Sequence, residues 1–409
     1  MTIVESFEKA PIENIVSILA AKPDRAIFLG DAAQMSNSVK VYEGILKRKG
    51  IGTEIILKGI QKNNLDNILA VLTAILENEE EIIFDITGGE DLVLTAFGIV
   101  YERYKESKKV KLQRFNINTG KVIDCDGDNE VTFRGTFSMG IDDLIAVYGG
   151  SVVPEEPQPM IKNALEVVDG VWNLARRIGS KWNKVHSYLK ELERKGDTSD
   201  DLLTIRMQFA DMKASIGEFD KKYREVTKLL VEFQKENLIV NLEIVDDLIC
   251  YRYRDAFVKR CLKNAGDALE MKCYCEALAL MEMDRPYFND CYVGVTIDWD
   301  GIIHPKEENW KDTINEIDLI LMRGLIPVFI SCKNGKIGDE ELYKLHTVAE
   351  KFGGKYAKKM LIATKLEREN VVAKKAYMQR AKDMGIELVP NAGELTKEEW
   401  KRVLRKALS

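Results

Sequence analysis

Histidine is scarce in this chain, with three residues among 409, at positions 186, 304 and 346. Their wide separation argues against a histidine-rich zinc site and against Ser-His or Cys-His catalysis. The seven cysteines are irregularly spaced, which is unlike a disulfide framework and predicts a reducing, cytoplasmic location. No apolar run approaches the length that spans a bilayer, so no membrane segment is expected. Carboxylates, lysines and backbone groups must supply any chemistry.

The chain also lacks an excess of positive charge. It has 60 Lys and Arg residues and 66 Asp and Glu residues, which gives a net charge of −6. A nucleic-acid partner would therefore have to meet a local basic patch. The glycine pattern G-x-G-x-x-G is absent too, which disfavours a Rossmann oxidoreductase. A chain of 409 residues with 45% apolar and 31% charged residues is typical of a globular protein with two or three domains.

Strand and helix patterns alternate over residues 1–153, the first predicted domain. Its apolar strand candidates occupy residues 25–30, 52–58, 81–86, 111–117 and 121–124. Strands that alternate with helices predict parallel pairing with right-handed crossovers. We therefore expect an α/β, Rossmann-like domain with three layers.

Residues 154–236 are predicted to be a linker followed by a helical region. Three prolines in residues 149–159 indicate the linker. The helical region is inferred from apolar residues at three- and four-residue spacing, namely Leu202, Ile205, Phe209, Met212 and Ile216. This stripe suits either a helix pair within one chain or a dimer seam.

Residues 237–409 are predicted to form a second α/β unit. A helix is expected over residues 251–280. The strand candidates that follow it occupy residues 292–298, 316–322, 326–333, 360–364 and 386–389. Two of them are separated by the short stretch 323–325, which predicts a hairpin.

Two loops of the first domain are rich in glycine and polar residues. One is GDAAQMSNS at residues 30–38, before a helix predicted over 38–49, and the other is TGGED at residues 87–91. The carboxyl ends of parallel strands share one rim, where open α/β sheets bind ligands. Glycine lets a phosphate approach the backbone, and a helix N-terminus offers free N–H donors. A plain strand-to-helix turn is the alternative interpretation.

The stretch DITGGED at residues 85–91 resembles the turn of the CARF family, Rossmann-like sensors of CRISPR cyclic oligoadenylates. Thr87, Gly88 and Gly89 match that turn, whereas Glu90 and Asp91 stand where the family has Thr and Lys. The resemblance implies a homodimer that binds one cyclic oligoadenylate, expected to be cyclic tetra-adenylate, across its two-fold axis. The residues expected near this ligand are Asp31, Ser36, Asn37, Thr87, Gly88, Gly89 and Glu90.

Acidic residues and a lysine lie on the predicted hairpin of the second α/β unit. Alternate side chains of a strand lie on the same face. Glu316 and Asp318 therefore share a face of one strand, and Ser331 and Lys333 share a face of the other. Phosphodiester hydrolysis commonly uses Mg²⁺ or Mn²⁺ held by carboxylates, with a cation that offsets phosphate charge. A structural ion pair is the alternative interpretation.

The order of helix, hairpin, helix and strand resembles the PD-(D/E)xK nuclease fold. NEID at 315–318, ISCK at 330–333 and GDALE at 266–270 are similar to CRISPR type III ancillary nucleases that join this fold to a CARF domain. Ser331 stands where the motif has an acid. Glu341 lies on the same helical stripe as Leu345, so we expect it to replace that acid, with Glu270 nearby. A favourable charge at a helix start is the alternative role of Glu341.

These patterns predict a metal-dependent endonuclease that is activated by a cyclic oligoadenylate and nicks DNA, cuts single-stranded RNA, or does both. Asp318, Glu341 and Glu270 are the expected ligands of Mn²⁺ or Mg²⁺, and Lys333 and Glu316 complete the expected catalytic set. Two other functions remain open. One is a catalytically inactive sensor, because of Ser331, and the other is a ring nuclease that degrades the cyclic nucleotide.

Overall fold

The computed structural model describes the chain except for residues 8–10, 126–128, 132–137, 154–163, 196, 199–201, 212–218, 263–265, 303, 306–307, 309–310, 336, 367–369 and 409. The described strands form three sheets of seven, four and six strands, with helices packed around them. Within these ranges, no helix combines the length and apolarity that crossing a bilayer requires.

The first sheet has the strand order β3-β2-β1-β4-β5-β6-β7, in which the first five strands are parallel and the last two antiparallel. The strands are β1 (Thr2–Ser6), β2 (Arg25–Gly30), β3 (Glu54–Gly59), β4 (Glu81–Asp85), β5 (Lys109–Asn116), β6 (Lys121–Asp124) and β7 (Asn129–Val131). The predicted α/β class is confirmed, although β1 and β7 were missing from the prediction. The order reverses between β1 and β4, which is where doubly wound sheets bind ligands.

Four helices accompany this sheet, namely α1 (Val16–Ala21), α2 (Ala32–Arg48), α3 (Leu65–Asn78) and α4 (Asp91–Tyr104), and α5 (Ile141–Val147) follows later in the chain. The predicted loop at residues 30–38 is wrong, because α2 already begins at Ala32. The Asp31 carboxylate accepts hydrogen bonds from Ala33 N at 2.8 Å and Gln34 N at 3.3 Å. This N-cap satisfies helix donors that would otherwise lack partners, so the polar run begins a helix.

The second sheet is antiparallel, with the order β11-β12-β10-β9. Its strands are β9 (Asp197–Thr198), β10 (Thr204–Gln208), β11 (Ile239–Val245) and β12 (Leu248–Tyr253). The helices of this region are α6 (Ala164–Ile178), α7 (Trp182–Lys195) and α8 (Phe219–Lys235), of which α7 and α8 pack against the sheet. The prediction of a helical middle region therefore holds for α6, α7 and α8 but is wrong at β9 and β10.

The helical stripe predicted from Leu202 does not exist in the described part of the middle region. Leu202 is 66% exposed and has a φ of +54°, whereas Ile205 and Met207 are buried and Arg206 between them is exposed. This alternation has the period of a strand. Met212 and Ile216, the last members of the stripe, lie outside the described residues. The helix predicted over 251–280 is also wrong at its start, since 251–253 belong to β12.

The third sheet has the order β17-β16-β15-β14-β13-β8. Its strands are β8 (Ser151–Val152), β13 (Asp290–Asp298), β14 (Ile314–Arg323), β15 (Ile326–Lys333), β16 (Lys358–Ala363) and β17 (Ile386–Val389). Its helices are α9 (Ala256–Cys261), α10 (Asp267–Met281), α11 (Glu340–Gly353), α12 (Val371–Asp383) and α13 (Lys397–Lys406). β14 and β15 form the predicted antiparallel hairpin, and β15, β16 and β17 are parallel.

We call each sheet with its helices a unit and number the units as the sheets. The first and third units share one apolar core. Ile12 and Phe28 of the first unit pack in the same buried cluster as Phe329 and Phe352 of the third. The β8 strand, which the prediction placed before the boundary at residue 153, pairs antiparallel with β13. The segment that contains α5 and β8 therefore belongs structurally to the third sheet.

Candidate functional site

The hairpin β14–β15 and the first turn of α11 bring together three side chains that the sequence analysis assigned to catalysis. Lys333 Nζ lies 3.7 Å from Asp318 Oδ2 and 3.2 Å from Glu341 Oε2. Asp318 Oδ2 also accepts hydrogen bonds from Cys332 N at 2.6 Å and from Ser331 Oγ at 3.2 Å. The backbone of β15 thus fixes the position of the carboxylate on β14.

These side chains line a small pocket that we call the acidic pocket. It is lined by Glu316, Ile317, Asp318, Ser331, Lys333, Glu341, Lys344 and Leu345. The side chains of Lys333 and Glu341 are 27% and 26% exposed, and that of Asp318 is 15% exposed. Water or a small ion can therefore reach all three side chains in this pocket.

Glu270 on α10 is held close to the acidic pocket. Burial is the main reason why the pKa of Glu270 is raised to about 8. Repulsion from the carboxylates of Asp318, Asp267 and Glu316 adds to this increase, and Lys333 opposes it. Burial also works against the charge of Lys333, but Asp318 and Glu341 outweigh it and raise the pKa of that lysine. The carboxylates around Glu270 therefore carry more negative charge than Lys333 neutralises.

The predicted metal ligands do not form a ready-made cage. In the part of the chain that the structure describes, no group of three or more His, Cys, Asp or Glu side chains is arranged to hold a metal ion. The donor type does fit Mg²⁺ or Mn²⁺, since both prefer carboxylate oxygens. A divalent cation would also relieve the repulsion that raises the pKa of Glu270. We therefore consider the residues compatible with such an ion.

The raised pKa of Glu270 predicts a pH-dependent gain in stability for Glu270→Gln. The folded protein retains a proton that the unfolded chain loses between its ordinary pKa and about 8, so stability contributed by this group falls as pH rises through that window. Glutamine stays neutral. We expect the variant to melt above the wild type at about pH 8.5, with little difference at about pH 4, in metal-free thermal unfolding.

Glu398→Gln is the matched control for this measurement, because the side chain of Glu398 is 78% exposed. It should not change the melting temperature at either pH. A gain for Glu270→Gln that is equal at both pH values would show that the carboxyl is not held in its neutral form. Added Mn²⁺ should stabilise the wild type more than Glu270→Gln, because the variant lacks one donor.

The turn after β4, residues 87–90, lies at the reversal point of the first sheet, and we call it the β4 turn. Thr87 N donates to Asp85 Oδ1 at 2.9 Å, and Thr87 Oγ1 accepts from Phe115 N at 2.7 Å. Gly89 has a φ of +141°, and a Cβ there would lie 2.5 Å from Ser6 Cβ. The turn is therefore anchored by threonine and can contain only glycine at position 89.

The other residues predicted near the ligand are spread over this rim. Ser36 and Asn37 are exposed on α2, and Ser36 Oγ donates to Ala33 O at 3.2 Å. Glu90 Oε1 forms an ion pair with Lys62 Nζ at 2.9 Å. Lys62, which follows β3, brings a cation to a turn that lacks the lysine of the CARF pattern.

Sequence reasoning missed Lys62 and also Glu13. Glu13 lies in a short 3-10 helix, Pro11–Asn14, and a Cβ added to Gly88 would overlap its Oε2. No periodic pattern marks a residue in such a short element. Lys62 and Glu13 reach the β4 turn from distant parts of the chain, so no local motif includes them.

No family model matches the chain, and no curated protein matches it. Solved structures do. Protein VC1899 from Vibrio cholerae is similar with a TM-score of 0.72 at 18% identity, over 100% of this chain and 98% of that one. Can2 from Sulfobacillus thermosulfidooxidans, solved in complex with cyclic tetra-adenylate, is similar with a TM-score of 0.66 at 16% identity, over 100% of this chain and 99% of that one. The similarity covers the whole chain, so this chain shares its overall fold with these two proteins.

Proposed function

We propose that the protein is a metal-dependent endonuclease of type III CRISPR defence that a cyclic oligoadenylate activates. The observation that carries the proposal is the convergence of Asp318, Lys333 and Glu341 on one pocket, at the hairpin that resembles the PD-(D/E)xK motif. The whole-chain similarity to Can2, whose structure contains cyclic tetra-adenylate, supports the sensing part. In this proposal the chain acts as a homodimer in the cytoplasm, with the ligand on the rim of the first sheet.

The residues of the acidic pocket would share the work of hydrolysis. Asp318, Glu341 and Glu270 would hold Mg²⁺ or Mn²⁺, which when bound makes water more acidic and offsets charge on the phosphate. Lys333 contacts both acids and has part of its surface exposed, so its ammonium can stabilise charge that develops on a scissile phosphate. Ser331 cannot replace a carboxylate ligand, but its hydroxyl holds Asp318 in place.

Incubation with cyclic oligoadenylates of different ring sizes tests this function. Supercoiled DNA and single-stranded RNA are the substrates, with and without Mn²⁺. We expect cleavage of one or both only when cyclic tetra-adenylate and metal are present together. Ligand that binds without any cleavage would contradict the nuclease proposal, and loss of the ligand itself would indicate a ring nuclease.

A catalytically inactive sensor is the second candidate. Two observations favour it, namely the serine at position 331 and the lack of a ready-made metal cage among the described residues. Isothermal titration with Mn²⁺ separates the two candidates. The nuclease proposal requires saturable Mn²⁺ binding that Asp318→Asn weakens, whereas a sensor without a metal site shows none.

A further inference from the structure

Glu13 connects the β4 turn to the third unit through its two carboxylate oxygens. The side chain is only 2% exposed. Its Oε2 faces Gly88 so closely that a Cβ on this glycine would overlap it. Its Oε1 forms an ion pair with Lys355 Nζ at 2.7 Å and accepts a hydrogen bond from the Tyr356 hydroxyl. One carboxylate thus contacts both the expected ligand site and the third unit.

Lys355 and Tyr356 follow directly on the helix that carries Glu341. They lie in the short 3-10 helix Gly354–Tyr356, between the end of α11 and the start of β16. Glu341 is in the first turn of α11, at the opposite end. A helix of 14 residues is about 21 Å long and moves largely as one body. A displacement of its last residues therefore also moves Glu341, which lines the acidic pocket.

A second contact joins the end of α11 to the segment between α5 and β8. Lys351 Nζ donates to Tyr148 O at 3.5 Å, and a Cβ on Gly354 would lie 3.2 Å from the Tyr148 hydroxyl oxygen. Burial raises the pKa of Tyr148 beyond its ordinary range, and the charge of Glu13 adds to the effect. The tyrosine therefore stays neutral beside the carboxylate. Tyr148 and Glu13 thus both contact the segment that connects α11 to β16.

The chemistry of Glu13 makes it sensitive to an anion at the β4 turn. A buried carboxylate is costly unless it is paired, so Glu13 has to keep its contacts with Lys355 and Tyr356 when it moves. A phosphate that approaches the backbone of Gly88 meets the negative Oε2 behind that glycine. Like charges in close proximity repel each other, and the burial of the Glu13 side chain strengthens this repulsion.

We propose that Glu13 is the positioning residue through which ligand binding controls Glu341. An anionic ligand on the β4 turn displaces the Glu13 carboxylate, and Lys355 and Tyr356 move with it. The end of α11 shifts, and Glu341 at its other end changes position relative to Asp318 and Lys333. This inference rests on the proposed function and specifies how that function is regulated.

Amide hydrogen exchange tests the connection without requiring nuclease activity. In the wild type, saturating cyclic tetra-adenylate should change exchange in α11 and in residues 354–356. In Glu13→Gln and in Lys355→Gln, the ligand should still bind but leave exchange in α11 unchanged. The side chain of Lys355 is 61% exposed, so this second variant should fold even if Glu13→Gln does not.

Cleavage kinetics give a second readout. Both variants should lose about tenfold or more of the ligand-dependent increase in kcat, with little change in KM, since coupling energies between sites are commonly of that size. Glu102→Gln is the control, because it removes one charge from the Glu102–Lys105 pair on α4 and leaves α11 untouched. It should be activated like the wild type.

Two results would overturn the inference while leaving the proposed function standing. One is ligand-induced cleavage in a wild type whose α11 shows no change in exchange. The other is full activation of both Glu13→Gln and Lys355→Gln. Absence of any ligand binding by the wild type would instead contradict the proposed function and this inference together.

Discussion

We expect Asp318→Asn to reduce the proposed cleavage of nucleic acid by orders of magnitude and to leave binding of the cyclic oligoadenylate unchanged. The asparagine oxygen can still accept the hydrogen bond from Cys332 N, so the hairpin should keep its geometry. What disappears is the negative charge that faces Lys333 and that a metal ion requires. We expect a loss on the order of 10³-fold in the single-turnover rate, as is common when a member of a catalytic group is removed.

The matched control is Asp300→Asn, whose side chain is 52% exposed in the turn after β13. It should cleave at the wild-type rate. Cleavage by Asp318→Asn at an unchanged rate would place the chemistry outside the acidic pocket. Ligand degradation that persists in Asp318→Asn, without nucleic-acid cleavage in the wild type, would identify a ring nuclease.

We expect Glu341→Gln to reduce the proposed cleavage strongly, and we expect Ser331→Asp in the same chain to restore part of the loss. The expected loss for the single variant is about 10²-fold, because a proposed metal ligand becomes neutral and Lys333 loses its closer partner. Ser331 Oγ lies 3.2 Å from Asp318 Oδ2, so an aspartate at position 331 would present a carboxylate beside Asp318. We expect the double variant to recover about tenfold of the rate, measured in the same single-turnover assay.

Glu340→Gln is the control for this pair, since Glu340 precedes Glu341 and is exposed. It should leave the rate unchanged. Full activity of Glu341→Gln would assign the missing acid to another residue. No recovery in the double variant would mean that Glu341 acts at a position that residue 331 cannot reach.

The parts of the fold that followed from the sequence are those in which local patterns and tertiary environment agree. The apolar runs of β2, β4 and β15 are buried on both faces, so they were recognisable as strands. β10 was not, because the spacing of Leu202, Ile205 and Phe209 fits a helix while the sheet contacts of β12 impose a strand. The start of α2 was missed because its polar residues resemble a loop, although Asp31 caps it.

The acidic pocket was more predictable than the surroundings of the β4 turn for a similar reason. Asp318 and Lys333 lie on adjacent strands of one hairpin, and Glu341 is only eight residues beyond Lys333. Their convergence follows from strand alternation and helical periodicity. Lys62 reaches Glu90 from the preceding strand–helix connection, and Glu13 reaches Lys355 across more than 340 positions. Such contacts depend on how whole units pack, which no local spacing encodes.

The pairing of β8 with β13 matters for anyone who wishes to divide or recombine this protein. A fragment cut after residue 153 would take β8 away and leave β13 as an open edge, with unpaired backbone groups that invite aggregation. It would also uncover the apolar surface that Ile145 and Phe352 share. An exchange of the first unit between similar proteins should therefore keep residues 139–152 with the downstream chain, so that the junction falls before α5 rather than in the proline-rich segment.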